Sequence, residues 1–600
     1  MPPGQPVEGF NSAMERSSQR NISGAAQKVS GALFSRQPAV HQALILLLGL
    51  LIYSNTFHVP FIFDDNTIIV NNPRLQDLGQ FMRSFDLRES RFVGYLTFAL
   101  NYAVNGTNVA GYHVVNLIIH IAASLLVYWL IVSILQTPAI STPGGALLQS
   151  VSARHGFALS IALLFVSHPV QTQAVTYIVQ RLTSLATLFY VLACLLFVRW
   201  RLSHEGADSS VSSRSFMNIA LYGGSLAAAF LAFRTKEISI TLPAMLIICE
   251  SMFFSGNAKR RIVPLLPYLV LGVIIIATEI ATRGSLGAVA AIDPVAGLYQ
   301  GLHHLSRLEY LFTQFRVIAT YLRLLVLPVN QNLDYDYPVS TTLFDSSVIG
   351  ALLFLLAVVA FAAYAYRRFR STAGGNKAAY GLIAFGLFWF FVTLSVESSI
   401  IPIDDVIMEH RVYLPSVGFF VAFVALGTLL IGAPGRTGEV VRKTGPVMFA
   451  LVVIALSISA YARNATWSDL VSIHEDIVGK SPRKPRAHIN LGVSYEERGL
   501  LDSAAREYST ALLLNPNDAL ARHNLGNLFY KHGYWDKALV HYQAIVATNW
   551  NAPSTHERIG IIYYRTGRYQ EAKEAFQAAL RLRPDLVQSR YYLDLITKKP

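Results

Sequence analysis

Along residues 40–465, polar positions are confined to short gaps between long apolar runs, at 42–57, 112–135, 157–167, 182–198, 216–233, 238–254, 262–281, 346–366, 379–396, 412–432 and 446–462. A helix rises 1.5 Å per residue and needs ~20 apolar residues to cross a bilayer, so this pattern predicts about eleven spans. The run at 157–167 is the shortest, and spans only if it extends back past Arg154, whose side chain then snorkels to the interface. A long polar stretch precedes the first run and no small-residue cleavage site clearly follows it, so it reads as a retained span. Residues 284–344 are mixed: Arg307, Glu309, Arg316 and Arg323 alternate with the apolar 317–329, which predicts an amphipathic element along the outer interface or a re-entrant pair.

The pattern changes towards the C-terminus, where a 34-residue period appears in six columns. Leu491, Leu525 and Ile559 share one phase, followed by Gly492, Gly526 and Gly560, then Tyr495, Phe529 and Tyr563. Further along come Gly499, Gly533 and Gly567, Ala504, Ala538 and Ala572, and Tyr508, Tyr542 and Phe576. Small residues facing aromatics at this period resemble the tetratricopeptide repeat, a helical pair stacked into a solenoid with a concave, peptide-binding groove. Pro516 and Pro584 close the first and third units; Trp550 stands at that place in the second. Residues 467–482 read as the second helix of an incomplete leading unit, and 588–597 as a closing helix. The expected organisation is all-α: a cytoplasmic N-terminal tail (1–39), a polytopic membrane domain (40–465) with a first outer loop at 58–111, and a repeat domain (466–600).

Composition agrees with a membrane protein: 53% of residues are hydrophobic and 14% charged, and the mean hydropathy is +0.41. The net charge of +13 does not point to nucleic acid, because its distribution is topological. Arg16, Arg20, Lys28 and Arg36 precede the first span, and Arg199, Arg201, Arg214, Lys259–Arg261, Arg367–Lys377 and Arg436–Lys443 fill alternate loops. With a cytoplasmic N-terminus all five groups lie inside, as the positive-inside rule requires. The repeats then lie outside. Cys194 and Cys249, the two cysteines, both fall within predicted spans, so no disulfide framework is implied.

The same topology gathers five chemically mixed clusters on the outer face. Two adjacent acids, Asp64 and Asp65, follow the first span, framed by Pro60, Phe61 and Phe63. Ser167-His168-Pro169 opens an expected short amphipathic helix that ends at Arg181. Arg234-Thr235-Lys236-Glu237 forms an outer turn; Leu333-Asp334-Tyr335-Asp336-Tyr337-Pro338 and Glu409-His410-Arg411-Val412-Tyr413-Leu414-Pro415 complete the set. Cations on the charge-poor side either snorkel and pair with Glu237 and Glu409, or bind an anion such as a lipid phosphate. Asn116 and His120, four apart in one span, read as an interhelical contact.

An acidic pair after the first span, His-Pro followed by Arg, Lys-Glu in an outer turn, Glu-His-Arg-x-Tyr-Leu-Pro and trailing repeats together resemble the transmembrane and tetratricopeptide repeat-containing O-mannosyltransferases. The resemblance runs from about Val40 to Pro584. It implies a GT-C-type fold and an inverting glycosyl transfer from a polyprenyl-phosphate-linked sugar donor to a Ser/Thr hydroxyl of an exported protein. It implies Asp64 as the base with Asp65 beside it, and Arg181, Lys236 and Arg411 as donor-phosphate ligands. His168, Glu237, Asp334, Asp336 and His410 would support them, and a divalent metal at Asp64 and Asp65 is left open. The chemistry is consistent, since a hydroxyl needs a carboxylate to take its proton and an anionic phosphate leaves without a general acid. Eukaryotic members carry more repeats, which suggests a bacterial relative in the inner membrane facing the periplasm; a eukaryotic protein would face the lumen of the endoplasmic reticulum. The alternatives are an oligosaccharide ligase or polymerase, and a non-enzymatic scaffold or transporter that recruits partners through the repeats.

Overall fold

A computed structural model describes residues 38–600 except 85, 87–88, 142–149, 206–211, 287–304, 373, 375, 404, 434, 548–551 and 599–600. The basic tail before the first span and Trp550 lie outside the described residues. The membrane part consists of α1 (Pro38–Ile52), α2 (Phe92–Asn105), α3 (Val109–Ile134), α4 (Val151–Ser167), α5 (Arg181–Glu205), α6 (Ser212–Phe233) and α7 (Leu242–Phe253). It continues with α8 (Leu266–Leu286), α9 (Arg307–Val326), α10 (Ser346–Ser371), α11 (Lys377–Leu394), α12 (Tyr413–Ile431) and α13 (Arg436–Thr466). No strand is present among the described residues.

Of the eleven apolar runs, eight fold into helices long and apolar enough to cross a membrane. A ninth crosses only as a bent pair, in which α4 turns by 53° into Pro169–Thr176. The other two are shorter. α1 has 15 described residues, and α7 has 12, about 18 Å against a hydrocarbon core of ~30 Å. The lipid-facing sides are legible in exposure: Val273 on α8, Leu353 on α10 and Ile458 on α13 are each more than 60% accessible. Inside the bundle, the largest charged and amide groups meet partners, as burial in a low dielectric demands. Arg201 on α5 forms a two-pronged pair with Glu250 on α7. Asn116 donates to the carbonyls of Val175 and Ile178, and His120 contacts the Tyr413 hydroxyl at 2.7 Å, the interhelical contact expected of them. α11 and α12 touch backbone to backbone: a Cβ on Gly386 would lie 2.3 Å from the Gly418 carbonyl, so glycine is required there.

α9 is the amphipathic element of the 284–344 region. Ser306 and Glu309 close a capping box at its start. Its apolar side packs on the bundle, while its polar groups reach the 396–411 segment: Gln314 donates to the Val406 carbonyl and Tyr310 to that of Glu397.

The repeats follow as α14 (Leu470–Lys480), α15 (Pro485–Glu497), α16 (Leu501–Leu514), α17 (Ala519–Lys531), α18 (Trp535–Val546), α19 (Pro553–Arg565), α20 (Tyr569–Leu582) and α21 (Val587–Thr597). The column of small residues explains their pairing. A Cβ on Gly492, Gly526 or Gly560 would meet the ring of Tyr508, Tyr542 or Phe576 within 2.8 Å, so each aromatic lies directly on the partner helix. α14 and α21 occupy the places expected of the leading and closing helices.

The leading helices are bonded to the membrane part. Asp334 accepts from Lys484 and Arg486, and Asn332 donates to Ser481. The Asp336 N–H also donates to Ser481. Arg463 pairs with Asp476 at 2.7 Å.

Candidate active site

Between the loop after α1, the start of α5, the α6–α7 turn and the 396–411 segment lies a cleft of about 720 Å³. Its lining combines charged or titratable side chains, Asp64, Arg91, Lys236, Glu237, Glu397, Asp405, His410 and Arg411, with the apolar Ile240, Ile275, Ile276, Ile401 and Ile403. Ile276 lies on the exposed side of α8, so the cleft opens beside the lipid-facing surface there. The lining of the cleft is therefore part charged and part apolar.

Asp64 reaches it from a strained turn. Phe63 has φ of 45°, a region bulky residues avoid, and its ring packs edge-on against His474 of α14 at 5.5 Å. The Asp64 N–H donates to the Tyr177 hydroxyl at 3.0 Å. Burial, and then repulsion from Asp405, push the Asp64 carboxyl above the usual carboxylate range, while Tyr177, Arg486 and Arg91 oppose the shift. Asp65 turns inward instead. Its two oxygens accept from the Ile62 and Val179 N–H groups at 3.1 and 2.7 Å, and burial pushes it up to about 8. The pair divides its work: Asp65 pins the loop to the start of α5, and Asp64 faces the cleft. With both Asp65 oxygens engaged, the two acids do not form a ready cation site. No three His, Cys, Asp or Glu side chains converge on a metal position among the described residues.

The charges are paired in an orderly way. Glu237 accepts from Arg91 at 3.0 Å; burial would raise its pKa, but Arg91 outweighs this and holds it low. Lys236 pairs with Glu397 at 2.9 Å and donates to Thr183. Asp405 pairs with Arg486 of α15 at 2.7 Å. Arg411 donates to the carbonyls of Val406 and Asp405. Among the described residues, Asp64 and Arg411 alone in this cleft make no ion pair. His410 donates its N–H to Gln173 at 2.6 Å, and its buried Nδ1 has no hydrogen-bond partner.

Other residues singled out by sequence stand elsewhere. Gln180 and Leu182 line the cleft but Arg181, between them, does not. Its guanidinium is fully buried and points to the α2–α3 side, donating to Asn116 at 2.6 Å and to the carbonyls of Thr97 and Tyr112. It lies 4.6 Å from the Phe98 ring centre. Arg181 also begins a helix instead of ending one, and the 169–180 stretch is buried on all sides but for Gln180, not amphipathic, because the 331–337 strap and the 409–412 turn cover it. His168 caps that stretch, its Nδ1 accepting from Val170 while Nε2 contacts the Leu325 carbonyl. Asp334 is consumed by Lys484 and Arg486: burial would raise its pKa, but Arg486 and Lys484 hold it below the usual range. Asp336 stands 3.7 Å from Arg483, so both acids of this motif face the repeats. Glu409 anchors the same strap, accepting from Gln331, the Asn332 N–H and Tyr335.

Arg91, Glu397, Asp405 and Arg486 were not among the residues expected at the site. Arg91 could have been found as one more cation on the charge-poor face, and Asp405 as an acid six residues before Arg411. Nothing in the sequence marks Arg486 apart from other repeat residues.

The fold and cleft define a polytopic helical membrane protein with a tetratricopeptide solenoid bonded beside an acid-and-cation cleft. Tetratricopeptide repeat family models match residues 553–586 and 495–533. The chain is 24% identical over 504 residues to a protein O-mannosyl-transferase of Caenorhabditis elegans, covering 80% of this chain and 64% of that protein. It is 24% identical over 537 residues to protein O-mannosyl-transferase TMTC1 of Homo sapiens, covering 81% and 56%. The chain therefore spans about three fifths of the length of these relatives. Among solved structures, MamA aligns at 17% identity over 28% of this chain and 85% of its own, with a TM-score of 0.21, too low to inform the fold.

Proposed function

We propose that this chain is a membrane-embedded glycosyltransferase that moves a sugar, mannose by similarity to the O-mannosyl-transferases above, from a polyprenyl phosphate to a Ser or Thr hydroxyl of a protein. The observation that carries the reading is the cleft itself. Isoleucines in its wall, one of them exposed on α8, suit an isoprenoid chain, and its charged side chains, with one carboxylate and one guanidinium outside any ion pair, suit the reacting head.

In this reading the phosphate sits against Arg411, with Lys236 and Arg91 close by, each oriented by a carboxylate. Asp64 accepts the hydroxyl proton as the oxygen attacks the anomeric carbon. The sugar–phosphate bond breaks on the opposite side, and its electron pair leaves on the phosphate, already anionic and stabilised by fixed positive charge. No general acid is required. Displacement in one step inverts the anomeric carbon. The unpartnered His410 Nδ1 is available to a sugar hydroxyl. Arg181 acts at one remove, by fixing the start of α5 from which Gln180 and Leu182 reach the cleft. The solenoid presents the acceptor.

The purified chain, given a polyprenyl-phosphate mannose and a Ser/Thr peptide, is expected to yield peptide whose sugar has the anomeric configuration opposite to the donor's, read by NMR. Retained configuration would rule out direct displacement, and absence of transfer with every lipid-linked sugar tried would remove the enzymatic reading. Sidedness is a second test. Cysteines introduced at exposed positions on the repeats are expected to react with a membrane-impermeant thiol reagent in intact spheroplasts, and a cysteine near Lys259 only after permeabilisation. The reverse pattern would place the cleft on the cytoplasmic face.

A further inference from the structure

We infer that Arg486, carried by the first full repeat, is a positioning residue of the transfer cleft, so that the site is completed by the solenoid. The inference rests on the reading of Asp64 as the base. Arg486 leaves the start of α15 and bridges two carboxylates: Nη2 and Nε bind Asp334 on the strap, and Nη2 also binds Asp405 at 2.7 Å. Asp405 lines the cleft with Asp64, and its own backbone carbonyl accepts from Arg411. One guanidinium of the repeat domain therefore fixes an acid that shares the cleft with the proposed base and is bonded through its carbonyl to the proposed phosphate ligand.

A second acid beside a general base is a liability. It repels the charge that Asp64 must carry and competes with it for Arg411. Arg486 neutralises Asp405 and holds it in place. Asp64 feels both groups, Asp405 raising its pKa and Arg486 lowering it. The other charged or titratable neighbours come from separate elements. Asp65 and Arg91 belong to the first loop, Tyr177, Lys236 and Glu237 to the inter-helix turns, and Glu397, His410 and Arg411 to the segment before α12. Most of these are matched within their own pairs, whereas Asp405 depends on a residue from the repeat domain.

The test uses the full chain in lipid nanodiscs, with single-turnover transfer from a polyprenyl-phosphate mannose to a Ser/Thr peptide followed against pH. A base must be ionised, so the rate rises through the pKa of Asp64, and anything that raises this pKa moves the acid limb to higher pH. Arg486→Ala is expected to move the limb up by about 0.3–1 pH unit, both partners being only partly screened by solvent. Asp405→Asn is expected to move it down, and the double variant to bring the Arg486→Ala limb back towards or below its original position. A rate that falls uniformly in Arg486→Ala with the limb unmoved would reduce Arg486 to a structural tie. Should that variant not fold, Asp405→Asn decides alone: no downward movement overturns the inference. The outcome is separable from the base assignment, since Asp64→Asn with full activity would remove the base, whereas an inactive Asp64→Asn with unmoved limbs in the other variants would remove only the role of Arg486.

Discussion

Asp64→Asn is expected to lower the single-turnover rate of transfer by about 10²–10⁴-fold, the usual worth of a general base, while donor-lipid binding stays within a fewfold of the parent. Asn preserves the shape of the side chain, and the backbone N–H that meets Tyr177 is untouched, so the turn should hold. The loss belongs to the chemical step, since the amide keeps the size of the side chain but neither accepts the proton nor carries the charge that Arg91 and Arg486 face. Asp65→Asn makes the contrast. Its two oxygens hold the Ile62 and Val179 N–H groups, and an amide turned either way presents a donor to one of them, so this variant should lose thermal stability together with rate. Equal binding and equal rate in Asp64→Asn would remove this residue from the mechanism.

The second large effect concerns Arg181. Arg181→Ala is expected to destabilise the fold by roughly 3 kcal/mol or more, since a buried hydrogen bond to a charged group contributes ~1.5–3 kcal/mol. Asn116 and the carbonyls of Thr97 and Tyr112 would lose their donor, and each unpaired buried acceptor costs ~1–3 kcal/mol. The measurement is the thermal midpoint of the purified chain in nanodiscs, together with donor affinity for whatever protein remains folded. Unchanged stability with weakened donor binding would return Arg181 to the phosphate.

That reassignment shows which layer of the site the sequence could carry. Apolar run length, alternation of basic loops and the 34-residue period are local or periodic signals, and they locate the helices, the repeat domain and the Asp64 loop. Asp64, Lys236, Glu237, His410 and Arg411, flagged in separate clusters, all line one cleft. The direction of a side chain is not a local signal. Arg181 and Lys236 look alike as stray cations on the outer face, but three neutral acceptors turn the first inward, while Glu397 and Thr183 keep the second at the cleft wall. Asp334 and Asp336 look like another acidic pair next to the chemistry; only the position of α15 shows that they face repeat cations. Helix length is misread for a related reason. Apolar residues at 238–254 read as one long helix, but Glu237–Thr241 is a 3-10 turn and α7 begins only at Leu242.

The bonds between the strap and the first repeat fix more than a site residue. Because Asp334, Asn332 and Asp336 clamp the start of the solenoid, the first repeat is fixed beside the cleft, and under the proposed function an acceptor gripped by the repeats would be tethered at one end of a set distance. An extended chain covers ~3.3 Å per residue, so hydroxyls within a certain count of residues from the gripped segment would enter the cleft at high effective concentration, and those nearer or farther would not. Modified positions would then be chosen by spacing along the acceptor, as marks on a ruler, more than by the residues flanking each Ser or Thr, and lengthening the segment between grip and hydroxyl would move the mark.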